Sequence, residues 1–188
     1  MRSQVAKALL RFHREEHLLG FRDALESDDV VLRRHAHHAF RDVFLLGHRS
    51  AGFALLLALA DDDDELRREA EQALLEVSFK SVAPLLERGV QSDEAQVRTV
   101  CFSTMATRVN ARFSKSLQTA LFSQAELGAT REALHRAFVA HRAHLPVKEW
   151  RRGQVDVREA MMALAALGDD GLLAVAKQAL LEKDARIR

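Results

Sequence analysis

Cationic side chains crowd one stretch of this sequence. Between residues 98 and 152 lie Arg98, Arg108, Arg112, Lys115, Arg131, Arg136, Arg142, Lys148, Arg151 and Arg152, interleaved with His135, His141 and His144, and the lone tryptophan is Trp150. Guanidinium and ammonium groups that neutralise phosphates, next to an aromatic plane on which a base can stack, are what a nucleic-acid groove requires. A second cluster, His13-Arg14-Glu15-Glu16-His17, has the spacing of the inverted zinc-protease motif, and two histidines four apart share one helix face. No α+β framework supports it, so it reads as a charged, solvated helix face. His35, His37 and His38, with Arg34 and Arg41, form a third group. A metal site needs about four convergent ligands, and no carboxylate or cysteine is placed to complete one. These are expected to be surface histidines in a basic stripe whose charge rises below about pH 6.5. The acidic run Asp61 to Asp64 with Glu65 lacks the alternating ligands and glycine of a calcium loop, and is expected to cap a helix and face water. No phosphate-binding glycine loop, nucleophile elbow or paired-carboxylate pocket is visible. The expectation is a chain that is not an enzyme and needs no metal or cofactor.

The elements that position these residues are helices. Hydrophobic residues make up 48% of the 188 and charged residues 29%, with only two prolines, eight glycines and no tyrosine. That supplies a core and good helix formers, and too few β-branched, aromatic and turn residues for an all-β fold. One cysteine, Cys101, excludes an intramolecular disulfide and sits in an apolar helical pattern, as a small buried hydrophobe does. The first residues lack the apolar core of a signal peptide, and the longest apolar run, Ala51 to Ala60, is about half a bilayer span. A cytoplasmic protein that does not enter membranes is expected. The net charge of +1 hides an asymmetry: residues 61–94 hold four Lys/Arg against eleven Asp/Glu, and residues 95–152 hold ten against three.

The helices recur. An acidic or serine turn leads into an apolar anchor, an arginine and then small residues, at Ser27-Asp28-Asp29…Leu32-Arg33, Asp62-Asp63-Asp64-Glu65-Leu66-Arg67, Ser92-Asp93-Glu94…Val97-Arg98 and Val155-Asp156-Val157-Arg158. A degenerate copy lies at Ala129-Thr130-Arg131, and the chain ends on Asp184-Ala185-Arg186-Ile187-Arg188. The anchors Leu32, Leu66, Val97, Ala129, Val157 and Ile187 are separated by 34, 31, 32, 28 and 30 residues, which is one helical hairpin per unit. The turn residue caps the second helix of each hairpin. Apolar stripes follow at steps of three and four: Leu66, Ala70, Ala73, Leu74 and Val77, and likewise Leu32, Ala36, Ala39, Phe40 and Val43. First helices are predicted at Phe53 to Leu59 and Val82 to Arg88, with Pro84 in a first turn, where its missing N–H costs little.

This grammar resembles HEAT repeats, and the period near 30 resembles their short variety, first described in bilin lyases. The resemblance covers nearly the whole chain, strongest at 50–109 and weakest at 110–153. It implies an all-α fold, a right-handed α-solenoid of stacked antiparallel helical hairpins, with residues 1–188 as one repeat domain that is irregular around 110–153. It also implies that Arg33, Arg67, Arg98 and Arg158 tie their turns to the neighbouring repeat, and that second helices line a concave face. Neither end reads as a polar capping unit, so a fragment of a longer array, or end-to-end self-association, is expected. The function this implies is a scaffold that binds another protein on the concave face through Arg34, His38, Arg41, Arg68, Gln72, Ser103, Arg131 and His135. The alternative is a nucleic-acid surface made of Arg108, Arg112, Lys115, Arg142, Lys148, Trp150, Arg151 and Arg152; HEAT-like DNA glycosylases, alike in architecture only, use a concave face in this way.

Overall fold

The computed structural model describes residues 23–122 and 128–141, and every regular element among them is helical. The elements in order are α1 (Val30–Leu45), a 3₁₀ turn (Arg49–Gly52), α2 (Phe53–Leu59), α3 (Asp64–Glu76), α4 (Phe79–Gly89), α5 (Ala95–Thr107), a second 3₁₀ turn (Ala111–Phe113), α6 (Ser114–Phe122) and α7 (Gly128–Ala140). The chain divides into two compact units, residues 1–100 and 101–188. Arg142, Lys148, Trp150, Arg151, Arg152 and Arg158, and the His13–His17 cluster, lie outside the described residues.

In the first unit, α2 packs on α1, α3 and α4, and α1 also packs on α3. The expected stripe of α3 is buried throughout: Leu66, Ala70, Ala73, Leu74 and Val77 are all 5% exposed or less. Alanines at its centre let helix axes approach closely, since each omits the bulk of a branched side chain. In α1 the buried set is Ala36, His37, Phe40, Val43 and Phe44, and Phe40 meets Phe53 edge-on with ring centroids 5.2 Å apart. The anchor Leu32 departs from expectation at 46% exposure, against 2% for its counterparts Leu66 and Val97. Among the described elements, those packed on α1 are the Arg49–Gly52 turn, α2 and α3, which all follow it.

The turns stop and start the helices by specific bonds. α1 ends where Gly47 takes a φ of 98°, with its N–H bonded to Phe44 O and that of His48 to Val43 O. This pairing closes the last carbonyls and favours glycine because a Cβ strains there. Gly52 is tight for a different reason. A Cβ on it would lie 2.9 Å from Phe44 Cε2 and 3.3 Å from Leu85 Cδ2, so this turn is pressed between α1 and α4.

Pro84 corrects a sequence expectation. Both Ser81 and Val82 donate to Ser78 O at 3.0 Å, so α4 begins at Phe79 and places Pro84 in its interior. The proline removes the N–H that would have bonded the Lys80 carbonyl.

In the second unit α6 packs on α7. Phe113, Leu117, Ala133, Leu134, Ala137 and Phe138 form its core. His141 is fully buried there. Its Nε2 accepts from the Asn110 N–H at 3.1 Å, so Nδ1 carries the proton it donates to Ala137 O at 2.8 Å. Its ring also meets Phe113 edge-on at 5.9 Å. A histidine counted with the basic stretch in the sequence is therefore a core strut that ties the end of α7 to the turn before α6.

Candidate functional site

The arginine that follows each anchor makes the same bond three times. Arg33 donates to Ser27 O at 2.8 Å, Arg67 to Asp61 O, and Arg98 to Ser92 O at 2.7 Å, each reaching back six residues. Arg33 and Arg98 also reach the next carbonyl, at Asp28 and Asp93. The acceptor residue itself recurs in a second role: Ser27 Oγ, Asp61 Oδ1 and Ser92 Oγ each accept the N–H two residues on. Asp29 and Asp63 then cap α1 and α3 by accepting two N–H groups each. The three turns are one structure, built from serine or aspartate interchangeably because only one acceptor oxygen is required.

Of the three acceptors only the middle one carries charge, and Arg33 reaches it from the repeat before. Arg33 binds both carboxylate oxygens of Asp61, at 2.8 and 3.0 Å. Burial alone would raise the Asp61 carboxyl; the Arg33 guanidinium and the Asp63 N–H outweigh it and hold Asp61 below the usual carboxylate range. For Arg67 the equivalent residue in the following turn is Ser92, which offers no carboxylate.

Further polar side chains of α1 are matched along α3 and its cap. Arg34 pairs with Asp63 at 2.5 Å and Glu65 at 2.6 Å, and Glu69 is shared by His38 at 2.5 Å and Arg41 at 3.3 Å. The hydrogen-bonded partners lie 28 to 31 residues apart and advance together along both helices, so α1 and α3 run parallel, one repeat apart. Three residues expected to offer charge to a partner are thus joined in one ladder whose carboxylates come from the next repeat. Arg68 and Gln72 are exposed on α3, and Gln72 bonds Glu76 at 2.6 Å.

Within the ladder His37 overturns its expected place on the surface. It is 1% exposed, and neither ring nitrogen has a hydrogen-bond partner. Burial, then the neighbouring His38 and Arg41 charges, push its pKa down to about 4; Glu69 and the Ala54 backbone pull weakly the other way. His35, on the outer side, is exposed and places Nδ1 2.7 Å from Val31 O. Cys101 is buried as expected, and desolvation pushes its thiol up to about 12. No group of three or more metal-ligating side chains is gathered among the described residues.

The second unit holds the remaining candidates. Ser103 and Arg108 are half-buried on and just beyond α5, while Arg112 and Lys115 are exposed at and after the second 3₁₀ turn. Arg131 and His135 sit half-buried one turn apart on α7.

One feature escaped the reading of the sequence. An open groove of about 860 Å³ runs between α2, α4 and the start of α5. Its floor includes Phe53, Leu56 and Leu57 of α2 and Pro84 and Leu85 of α4; with Ser81 and Arg88, which also line it, the α4 residues too fall at steps of three and four. Arg49, Arg88 and Glu94 stand around it. The signal was present in α2, Phe-Ala-Leu-Leu-Leu-Ala-Leu, which is apolar on every side. A surface helix needs only one apolar face, so such a segment either is wholly covered or leaves a stripe open. Here Leu57 stays 39% exposed.

No described helix is long and apolar enough to cross a membrane. Comparison with known protein families, with curated proteins and with solved structures found no match to this chain.

Proposed function

We propose that this chain is an α-solenoid of HEAT-like type that binds another protein on its helical surface and performs no chemistry of its own. The observation that carries this reading is the turn repeated at Arg33, Arg67 and Arg98, together with the parallel α1–α3 ladder. Identical turns one hairpin apart set each second helix at a fixed step from the last. A surface built in this way is ordered before any partner arrives, which lowers the entropic cost of association. Buried titratable groups support the same reading. Cys101 is held as a thiol, and His37 is neutral and enclosed, so neither is poised as a nucleophile or base.

The nucleic-acid alternative rests on Arg108, Arg112 and Lys115 among the described residues, and His141, interleaved with the same basic stretch, lies in the core. The experiment is a salt titration of a generic duplex and single strand against the full chain, beside partner capture in the presence of nuclease and reconstitution with the purified partner. A stoichiometric complex of purified proteins, with no nucleic-acid binding at physiological salt, is the expected result. Tight nucleic-acid binding whose logarithm falls linearly with log salt, or a capture that nuclease abolishes, overturns the proposal.

A further inference from the structure

The charged residues around the groove differ from every arginine of the ladder. Arg33, Arg34, Arg41 and Arg67 are all paired with carboxylates. Arg49 and Arg88, whose side chains stand over the apolar floor of Phe53, Leu56, Leu57, Pro84 and Leu85, have no ion pair or side-chain hydrogen bond with any described residue. Glu94, the third charged residue lining the groove, is likewise uncommitted among the described residues.

We infer that this groove is the docking site for an acidic amphipathic helix of a partner protein, whose apolar stripe lies on the Phe53–Leu57 and Pro84–Leu85 floor and whose carboxylates meet Arg49 and Arg88. The inference rests on the protein-binding reading above and gives it a location and a ligand chemistry. Three observations select this occupant. The floor is made of two helical stripes, and ridges at steps of three and four receive the like-spaced side chains of a third helix. From Phe53 to Ala60 the lining follows α2 for roughly 10 Å at the helical rise, which matches about two turns of a bound helix. Two free guanidiniums against one carboxylate give the groove a cationic excess, so a ligand bearing carboxylates is favoured over its basic mirror image. Guanidiniums beside an apolar floor also form forked bonds to carboxylates in a partly dehydrated setting, where such bonds are stronger than on open surface.

The full chain is panned with a display library of 14-residue peptides, random in sequence, and enriched peptides are measured by fluorescence anisotropy. Enrichment of Asp/Glu beside apolar residues at i, i+3 or i+4, and i+7 is expected. Binding should weaken at least tenfold in the double variant R49E/R88E and in Leu57→Lys, and should weaken with salt. Neither arginine supports the fold through an ion pair, so reversal should leave the circular dichroism and melting of the chain intact. Leu57→Lys, at a position already 39% exposed, tests the floor independently of the rim. Peptides that enrich without acidic bias, or whose binding survives both variants, overturn the groove assignment and leave a protein-binding chain that uses another face. Failure of any peptide to enrich overturns the groove and counts against the protein-binding reading as well. Saturable binding of decanoate in place of peptides overturns the occupant, since the groove would then hold acyl chains.

Discussion

Acid should loosen the first unit through His37, and the size of the effect follows from its surroundings. The imidazole is enclosed by α1, α2 and α3, with His38 and Arg41 on its own helix, Glu69 on α3 and the Ala54 backbone on α2. Its folded pKa is about 4 and its ordinary value 6.5. Above 6.5 both folded and unfolded chains hold the ring neutral, and stability does not depend on it. Between 6.5 and 4 the unfolded chain takes up the proton and the folded chain does not, so stability falls as pH falls. Below 4 both are protonated and the loss is complete. At about 1.4 kcal/mol per pH unit, the loss is about 2 kcal/mol near pH 5 and about 3 kcal/mol in full, a substantial share of the stability of one small domain. Urea denaturation of the wild type and His37→Leu, followed by circular dichroism between pH 7.5 and 4.5, measures this. The carboxylates Asp61 and Asp63, held below their usual range, lose their contributions only at lower pH, and the difference between the two proteins removes them. The variant should lack the slope below 6.5. It should also be equal or more stable at neutral pH, because two unbonded buried nitrogens are replaced by methyl groups. Parallel pH curves for the two proteins, or an imidazole resonance of His37 that titrates near 6.5, would refute the reasoning.

Three further outcomes are expected. Arg33→Lys should destabilise the first unit nearly as much as Arg33→Ala, by about 1–3 kcal/mol in denaturant melts, because an ammonium cannot serve two carbonyls and a forked carboxylate together; full retention of stability in the lysine variant would sink this account of the turn. Gly52→Ala should cost about 1–3 kcal/mol, since its Cβ meets the Phe44 ring at 2.9 Å, and Gly52→Ala combined with Phe44→Leu should recover part of that loss. His141→Ala should destabilise the second unit by about 2–3 kcal/mol by leaving the Asn110 N–H without its acceptor. Nitrogen shifts of the wild-type ring should report the proton on Nδ1; a proton on Nε2 would contradict the assigned bonds.

The elements were legible where local chemistry fixes them. The period, the caps at Asp29 and Asp63 and the whole α3 stripe could be read from the chain, because each depends on residues within one or two turns. The bounds of α2 were equally plain. Pro84 misled because the rule for first turns assumes a helix start, and the start was set upstream by the Ser78 carbonyl. His37 and His141 misled in a different way. Histidine is polar by type, and its burial depends on what a distant segment offers: an apolar enclosure beside Ala54 for one, a backbone N–H at Asn110 for the other. The groove was least legible, since it is made of two stripes 30 residues apart that are unremarkable singly.

The distribution of charge explains why the groove and not the ladder is the more informative surface. On the α1–α3 face each α1 guanidinium meets a carboxylate from the next repeat, so a partner that bound there would have to match a mosaic already neutralised, or break bonds that hold the hairpins in step. Breaking them leaves partly buried charges behind, and that cost is subtracted from any affinity gained. Arg49 and Arg88 impose no such cost: their bonds to water can be exchanged for bonds to a ligand without loosening a helix. A repeat array therefore separates two uses of arginine. Those one residue past an anchor are committed to the turn by geometry, and Arg49 on the 3₁₀ turn and Arg88 on α4 stay available. The +7 stretch beyond residue 94 gives the same argument a second place to apply. There, Lys115 is exposed just after the second 3₁₀ turn. A single reversal at Lys115 should change solubility and salt response while sparing stability, whereas substitution of Arg98, bonded to Ser92 O and Asp93 O, should change stability first.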